Sequence, residues 1–154
     1  MNTECLRIAD QLRRAYEGKA WHGPCLRDLL AGVDAKHAAA HPVAGAHSIW
    51  ELVSHIRMWN NAGLGALQGT PMPQSWSPEQ DFPPVVNASP EAWQKAQDEL
   101  FALNEKVCKA IAAFDDARLQ EAVPGRRYDY YFLLHGLVQH ALYHGGQIAL
   151  LKKK

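Results

Sequence analysis

The sequence predicts an all-α chain: a four-helix bundle with a long crossover connection between its second and third long helices. Three observations carry this. Four stretches repeat apolar residues at helical spacing, two of the later ones open on strong helix-start signals, and no stretch alternates convincingly as a strand would. A long proline-rich segment separates the second and third of these stretches. At 154 residues the chain is expected to be one domain, 1–154.

The first helix is expected over Thr3–Tyr16, with Leu6, Ala9, Leu12, Arg13 and Tyr16 as its stripe and Gly18 closing it. Trp21-His22-Gly23-Pro24 reads as a turn. Pro24 introduces a short helix, Cys25–Leu30, ended by Gly32. Asp34 caps a further turn, Ala35–Ala40, and His41–Gly45 is loop. Ser48 and Glu51 form a capping box, in which each side chain bonds the other residue's backbone amide. The second long helix follows, Ile49–Leu67, burying Ile49, Leu52, Val53, Ile56, Trp59, Gly63, Leu64 and Leu67. Gly69–Pro73 stops it. Gly69–Asn87 holds five prolines and no periodicity, and reads as a packed crossover anchored by Trp76 and Phe82. Ser89-Pro90-Glu91 starts the third long helix, Pro90–Phe114, with a cap, a proline and an acid in sequence. Its core face is expected at Trp93, Ala96, Leu100, Leu103, Val107, Ala110 and Ile111. Asp115–Gln120 is a turn, Val123–Arg127 a loop, and Tyr130–Leu151 the fourth long helix.

Composition excludes some function classes. Lys+Arg and Asp+Glu are both 16, so net charge gives no drive toward nucleic acid or an acidic membrane. No apolar run reaches membrane-spanning length, and Glu4, Arg7 and Asp10 speak against a signal peptide in the first ten residues. Three cysteines, Cys5, Cys25 and Cys108, without motif spacing suggest free thiols in a reducing compartment, and the cytoplasm is the expected location.

The chemistry concentrates in the fourth helix. His140 and His144 stand four residues apart, which stacks two imidazoles on one helical face, about 6 Å apart at Cβ. Apolar neighbours at helical spacing, Leu137, Ala141, Ile148 and Leu151, turn that face toward the core. His37 and His41 share the spacing, but Pro42 disfavours helix at His41. The second helix carries one histidine, His55, beside inward-facing Leu52 and Trp59. If the two helices touch, three imidazoles meet and leave coordination positions for a water or a thiol. The other reading of the same residues is three core histidines satisfied by carbonyls.

The segment His140-Ala-Leu-Tyr-His144-Gly-Gly-Gln147 resembles the C-terminal H-x-x-x-H-x-G-Q signature of the DinB-like proteins. Gly45-Ala-His-Ser-Ile-Trp-Glu-Leu-Val-Ser-His55 resembles their second-helix segment, and Trp21-His-Gly-Pro and the proline-rich connection before Ser89-Pro90 add to the likeness. The resemblance implies a four-helix bundle, often a homodimer, binding a divalent metal ion (zinc or nickel) through His55, His140 and His144. It also implies a thiol transferase using a low-molecular-weight thiol such as bacillithiol or mycothiol, or a hydrolase. The partner would be a small-molecule substrate, not nucleic acid or membrane. A non-catalytic metal-binding or stress-associated interaction protein is the alternative. Around the triad, Gln147 is expected to bond a metal-bound water or a neighbouring helix, and Glu51 to orient His55 or simply cap its helix. His22 and His47 are placed at the pocket mouth, and Trp59 on its wall.

Overall fold

Capping residues decide where the helices begin. A computed structural model describes residues 3–154, so Met1 and Asn2, the start of the expected domain, lie outside the described residues. Seven α-helices are found among them: α1 Thr3–Tyr16, α2 Leu26–Leu30, α3 Ala35–Ala39, α4 Ile49–Leu67, α5 Pro78–Asp81, α6 Pro90–Ala113 and α7 Tyr130–Leu151. A 3₁₀ turn occupies Asp116–Arg118. Ser48 accepts the amide of Glu51, whose carboxylate returns to the amide of Ser48 at 2.8 Å, so the capping box at α4 is formed. Ser89 caps α6 and Asp129 caps α7, each accepting an amide from the first turn. Asp116 serves α1 from across the sequence: its carboxylate accepts the amides of Glu4 and Cys5 at 3.0 and 2.9 Å.

The four long helices pack in the cyclic order α1, α6, α4, α7 around one apolar core. Trp50 meets Trp93 near the two N-termini, and Arg57 pairs with Glu99 further along, so α4 and α6 run the same way. The connection 68–89 therefore carries the chain back to the end from which α4 started. Tyr130 donates to the carbonyl of Ala66, while His55 faces His144, so α4 and α7 are antiparallel. Their close approach is set by Gly63. A Cβ there would stand 2.8 Å from Leu137 Cδ1, so the absent side chain is what lets Leu137 seat against α4. Across the core, Asn60 Nδ2 donates to the Tyr16 hydroxyl at 2.9 Å, which satisfies two buried polar groups at once. At the far end, Gly125 has φ +81°, and a Cβ would collide with the carbonyl of Met72 where loop 123–128 meets the connection.

Two sequence expectations shift. The stripe drawn on α1 through Leu6 and Arg13 is wrong at both positions, which face solvent. Cys5, Ile8, Ala9, Leu12, Ala15 and Tyr16 are buried instead, a set that keeps three- and four-residue spacing throughout. The crossover also contains a helix of its own, α5, started by a capping box between Ser77 and Gln80 with Pro78 at its first position. Cys5, Cys25 and Cys108 are all buried free thiols. No helix among the described residues is long and apolar enough to cross a membrane.

Candidate metal centre

The antiparallel pairing of α4 with α7 fixes where the histidines fall. From the Gly63–Leu137 contact, His55 lies two turns back along α4 and His144 two turns on along α7, so they arrive at the same level. His140, one turn before His144, completes the group. Its Nε2 stands 2.9 Å from Nε2 of His55 and 3.1 Å from Nε2 of His144, and the ligand atoms of all three lie within 4.8 Å of one another. His55 and His144 are each 5 % exposed. The decoy pair separates: His37 Nε2 meets the carbonyl of Leu151, and His41 Nε2 meets Glu51.

The outward ring nitrogens are tied to acceptors. Nδ1–H of His55 donates to the main-chain oxygen of Asp81 at 2.7 Å, with the Asp81 carboxylate at 3.1 Å. Nδ1–H of His144 donates to Oε1 of Gln147 at 2.5 Å. With the protons held there, Nε2 of both rings presents a lone pair to the centre. Both short N···N contacts converge on Nε2 of His140, which can offer a single proton, so at most one of them is a hydrogen bond and the other brings two nitrogens together without one, an arrangement that a shared cation relieves. The spacing suits one: with metal–nitrogen bonds of 2.0–2.1 Å, tetrahedral ligand nitrogens stand about 3.4 Å apart.

Electrostatics favour the neutral rings that ligation needs. Burial, reinforced by His144 and His55, pushes the pKa of His140 down to about 3. Burial lowers His55 as well, against the upward pull of Asp81, and lowers His144 against the hydrogen bond to Gln147. The donor set therefore fits a metal ion that accepts imidazole nitrogen.

A cleft of about 520 Å³ opens beside the centre, between the start of α7 and the crossover. His55, His140 and His144 line one end of it, and Trp59, Phe82, Tyr128, Phe132 and Tyr143 form aromatic walls. Phe82 lies between two imidazoles, stacked on His47 at 3.6 Å and on His55 at 4.0 Å between ring centroids. Trp59 donates its indole N–H to the Asp81 carboxylate at 3.1 Å.

Three expected neighbours sit elsewhere. His22 lines a separate cleft with Leu26, Leu29 and Gly145, because the segment before α2 packs on the side of α7 that carries Ala141 and Gly145. His47 is held behind Phe82, outside the main cleft, with its Nδ1 3.5 Å from Glu51. The Glu51 carboxylate is bonded to the Ser48 amide and His41 rather than to the His55 ring. Burial works against its charge, but the Ser48 amide and His41 outweigh that and hold its pKa below the usual value. Trp59 does line the cleft, and Gln147 orients His144. Asp81 escaped the sequence reading, and Phe82, expected only as an anchor of the crossover, proves to line the cleft. The signal that could have found them is Ser77-Pro78-Glu79-Gln80, a helix start of the same kind as Ser89-Pro90-Glu91. Phe132 and Gly136 carry a signal too, since both lie at four-residue steps before His140.

No curated protein and no solved structure matches the chain. The family model described as the DinB superfamily matches residues 21–148. That span holds both halves of the site, His55 on α4 and the His140–His144 pair on α7, and with so much of the chain matched the protein belongs to the DinB superfamily.

Proposed function

We propose that this protein is a divalent-metal-dependent enzyme in which His55, His140 and His144 hold the ion and the adjoining cleft presents an electrophile to a small thiol. The observation that carries this reading is the convergence of three Nε2 atoms at the end of an aromatic cleft, two of them with the opposite ring nitrogen tied to an acceptor. When bound, the ion supplies an electrostatic pull that lowers the pKa of a thiol or water brought to it.

The side chains do the rest. Asp81 and Gln147 hold two imidazoles in the ligating tautomer. Burial keeps the rings neutral near pH 7, so little proton release opposes binding. Phe82 covers one face of the His55 ring and Trp59 stands edge-on beside it, which limits the access of water to the imidazole. A thiol is favoured over water because its ordinary pKa of about 8.5 needs only a small shift, whereas water starts from about 15.7. The one carboxylate in the cleft already serves Trp59 and His55, which leaves no dedicated base for a water. We further propose a homodimer. The outer side of α7 exposes Tyr131, Leu142 and Leu150, an apolar face that a second copy would cover.

The experiment is turnover of a generic alkylating electrophile with a panel of low-molecular-weight thiols, in metal-loaded wild type and in His144→Ala. Thiol-dependent turnover that disappears in the variant supports transfer. Metal-dependent ester or amide cleavage without thiol dependence points to hydrolysis, and metal binding with neither activity points to a non-catalytic role. Light scattering reads the dimer.

A further inference from the structure

The cleft also speaks to the class of molecule it takes. No Lys or Arg is among its lining residues, and its only carboxylate, Asp81, is engaged by Trp59 and His55. Along α7, Phe132, Gly136, His140 and His144 succeed one another at four-residue steps, so one face of the helix floors the cleft and runs into the histidines. At Gly136 the floor has no side chain. A Cβ built there meets no atom within 4 Å, and the residue is not among the glycines with positive φ. Neither packing nor backbone conformation requires glycine at this position, and glycine is unfavourable inside a helix. What its absence of a side chain provides is open space, one helical turn from His140.

From this we infer that the cleft binds an uncharged, apolar ligand of aromatic breadth, whose body lies over Gly136 with its reacting end toward the histidines. An anionic body would shed its water and meet no Lys or Arg along the lining. A flat ring gains contact with Tyr128 and Phe132, whose own rings stand 5.2 Å apart at 43°. Gly136 is then the specificity-determining residue, its missing side chain defining the breadth admitted. The inference rests on the proposed metal centre only for which end of the ligand reacts.

Two fluorescent probes with one ring skeleton test it: neutral N-phenyl-1-naphthylamine and its anionic analogue, 1-anilinonaphthalene-8-sulfonate. Each is titrated into wild type, Gly136→Ala, Gly136→Leu and Phe132→Ala, with metal affinity measured on the same samples by chelator competition. The expected result is saturable one-to-one binding of the neutral probe to wild type, about tenfold tighter than the sulfonate, because no lining side chain is basic. Gly136→Leu should weaken the neutral probe by about tenfold or more, and Gly136→Ala by less, with metal affinity unchanged in both. Phe132→Ala, altered at an exposed wall position, should weaken it while leaving the fold intact even if the leucine variant fails to fold. Equal binding of the two probes overturns the inference, as does no neutral binding, or wild-type binding in a folded Gly136→Leu. Neutral-probe binding of the expected pattern in a protein that takes up no metal supports the ligand class and overturns only the metal centre.

Discussion

His55 donates its Nδ1–H to the main-chain oxygen of Asp81 across 2.7 Å, joining the middle of α4 to the last residue of α5. The Asp81 carboxylate reaches back to both the same imidazole and the Trp59 indole. A residue of the crossover is thus part of the candidate centre without being one of its three imidazoles. Asp81→Ala keeps a main-chain oxygen but loses both carboxylate bonds. Metal affinity in that variant is expected to fall about 10- to 100-fold, the usual cost of removing such a support. Asp81→Asn, which retains an acceptor, should lose less. Chelator competition measures both, and wild-type affinity in Asp81→Ala would remove the support role.

Gly63 sets the distance between the two helices that carry the histidines. Gly63→Ala asks only the tip of Leu137 to move, and the gain in helix propensity, up to about 1 kcal/mol, offsets the crowding. Gly63→Val adds bulk that the α4–α7 contact cannot absorb, and is expected to cost about 1–3 kcal/mol in denaturant unfolding. Similar stabilities for the two variants would argue against close approach at this point.

The Asn60–Tyr16 hydrogen bond lies wholly inside the bundle. Tyr16→Phe strands the Asn60 amide and should destabilise by about 1–3 kcal/mol. Asn60→Leu in the Tyr16→Phe background removes the stranded group and should recover part of that loss. A double variant less stable than the single would contradict the account.

The sign of the pH dependence follows from the histidines. His140 titrates near 3 when folded and near 6.5 when unfolded, so below about pH 6.5 the unfolded chain takes up a proton the folded chain refuses. The His140 contribution to stability of the metal-free protein is therefore full above that value, declines as pH falls from about 6.5 toward 3, and levels off below. The lowered values of His55 and His144 add in the same direction. Asp116, held near 2 by Cys5 and the α1 amides, extends the loss below its ordinary 3.8. Chemical denaturation between pH 7 and 4 in wild type and His140→Leu reads the slope, which should be shallower in the variant.

Much of this architecture is legible in the residues because local chemistry decides it. Ser48 with Glu51 and Ser89 with Pro90 announce α4 and α6, and the ends of α1, α4 and α7 fall where Gly18, Gly69 and the apolar repeats put them. The i, i+4 pair His140–His144 is visible for the same reason. The meeting with His55 is a tertiary event, dependent on a glycine at 63 that admits Leu137, and helical periodicity contains no such information. Asp81 was hidden among prolines, which obscured a four-residue helix whose cap was nonetheless written in Ser77 and Gln80, and Phe82 was legible as an anchor but not as a wall of the site. His22 lacked any local signal of side, because only the docking of α2 on Gly145 decides which cleft it enters.

If three imidazoles on α4 and α7 share one cation, the protein should carry it in solution. Metal content of protein purified without a histidine tag is read by elemental analysis before and after zinc or nickel reconstitution and dialysis. About one divalent ion per chain is expected in wild type, with a large loss in His55→Ala, His140→Ala and His144→Ala alike. Wild type that retains no ion, or retention undiminished in all three variants, would contradict the shared site.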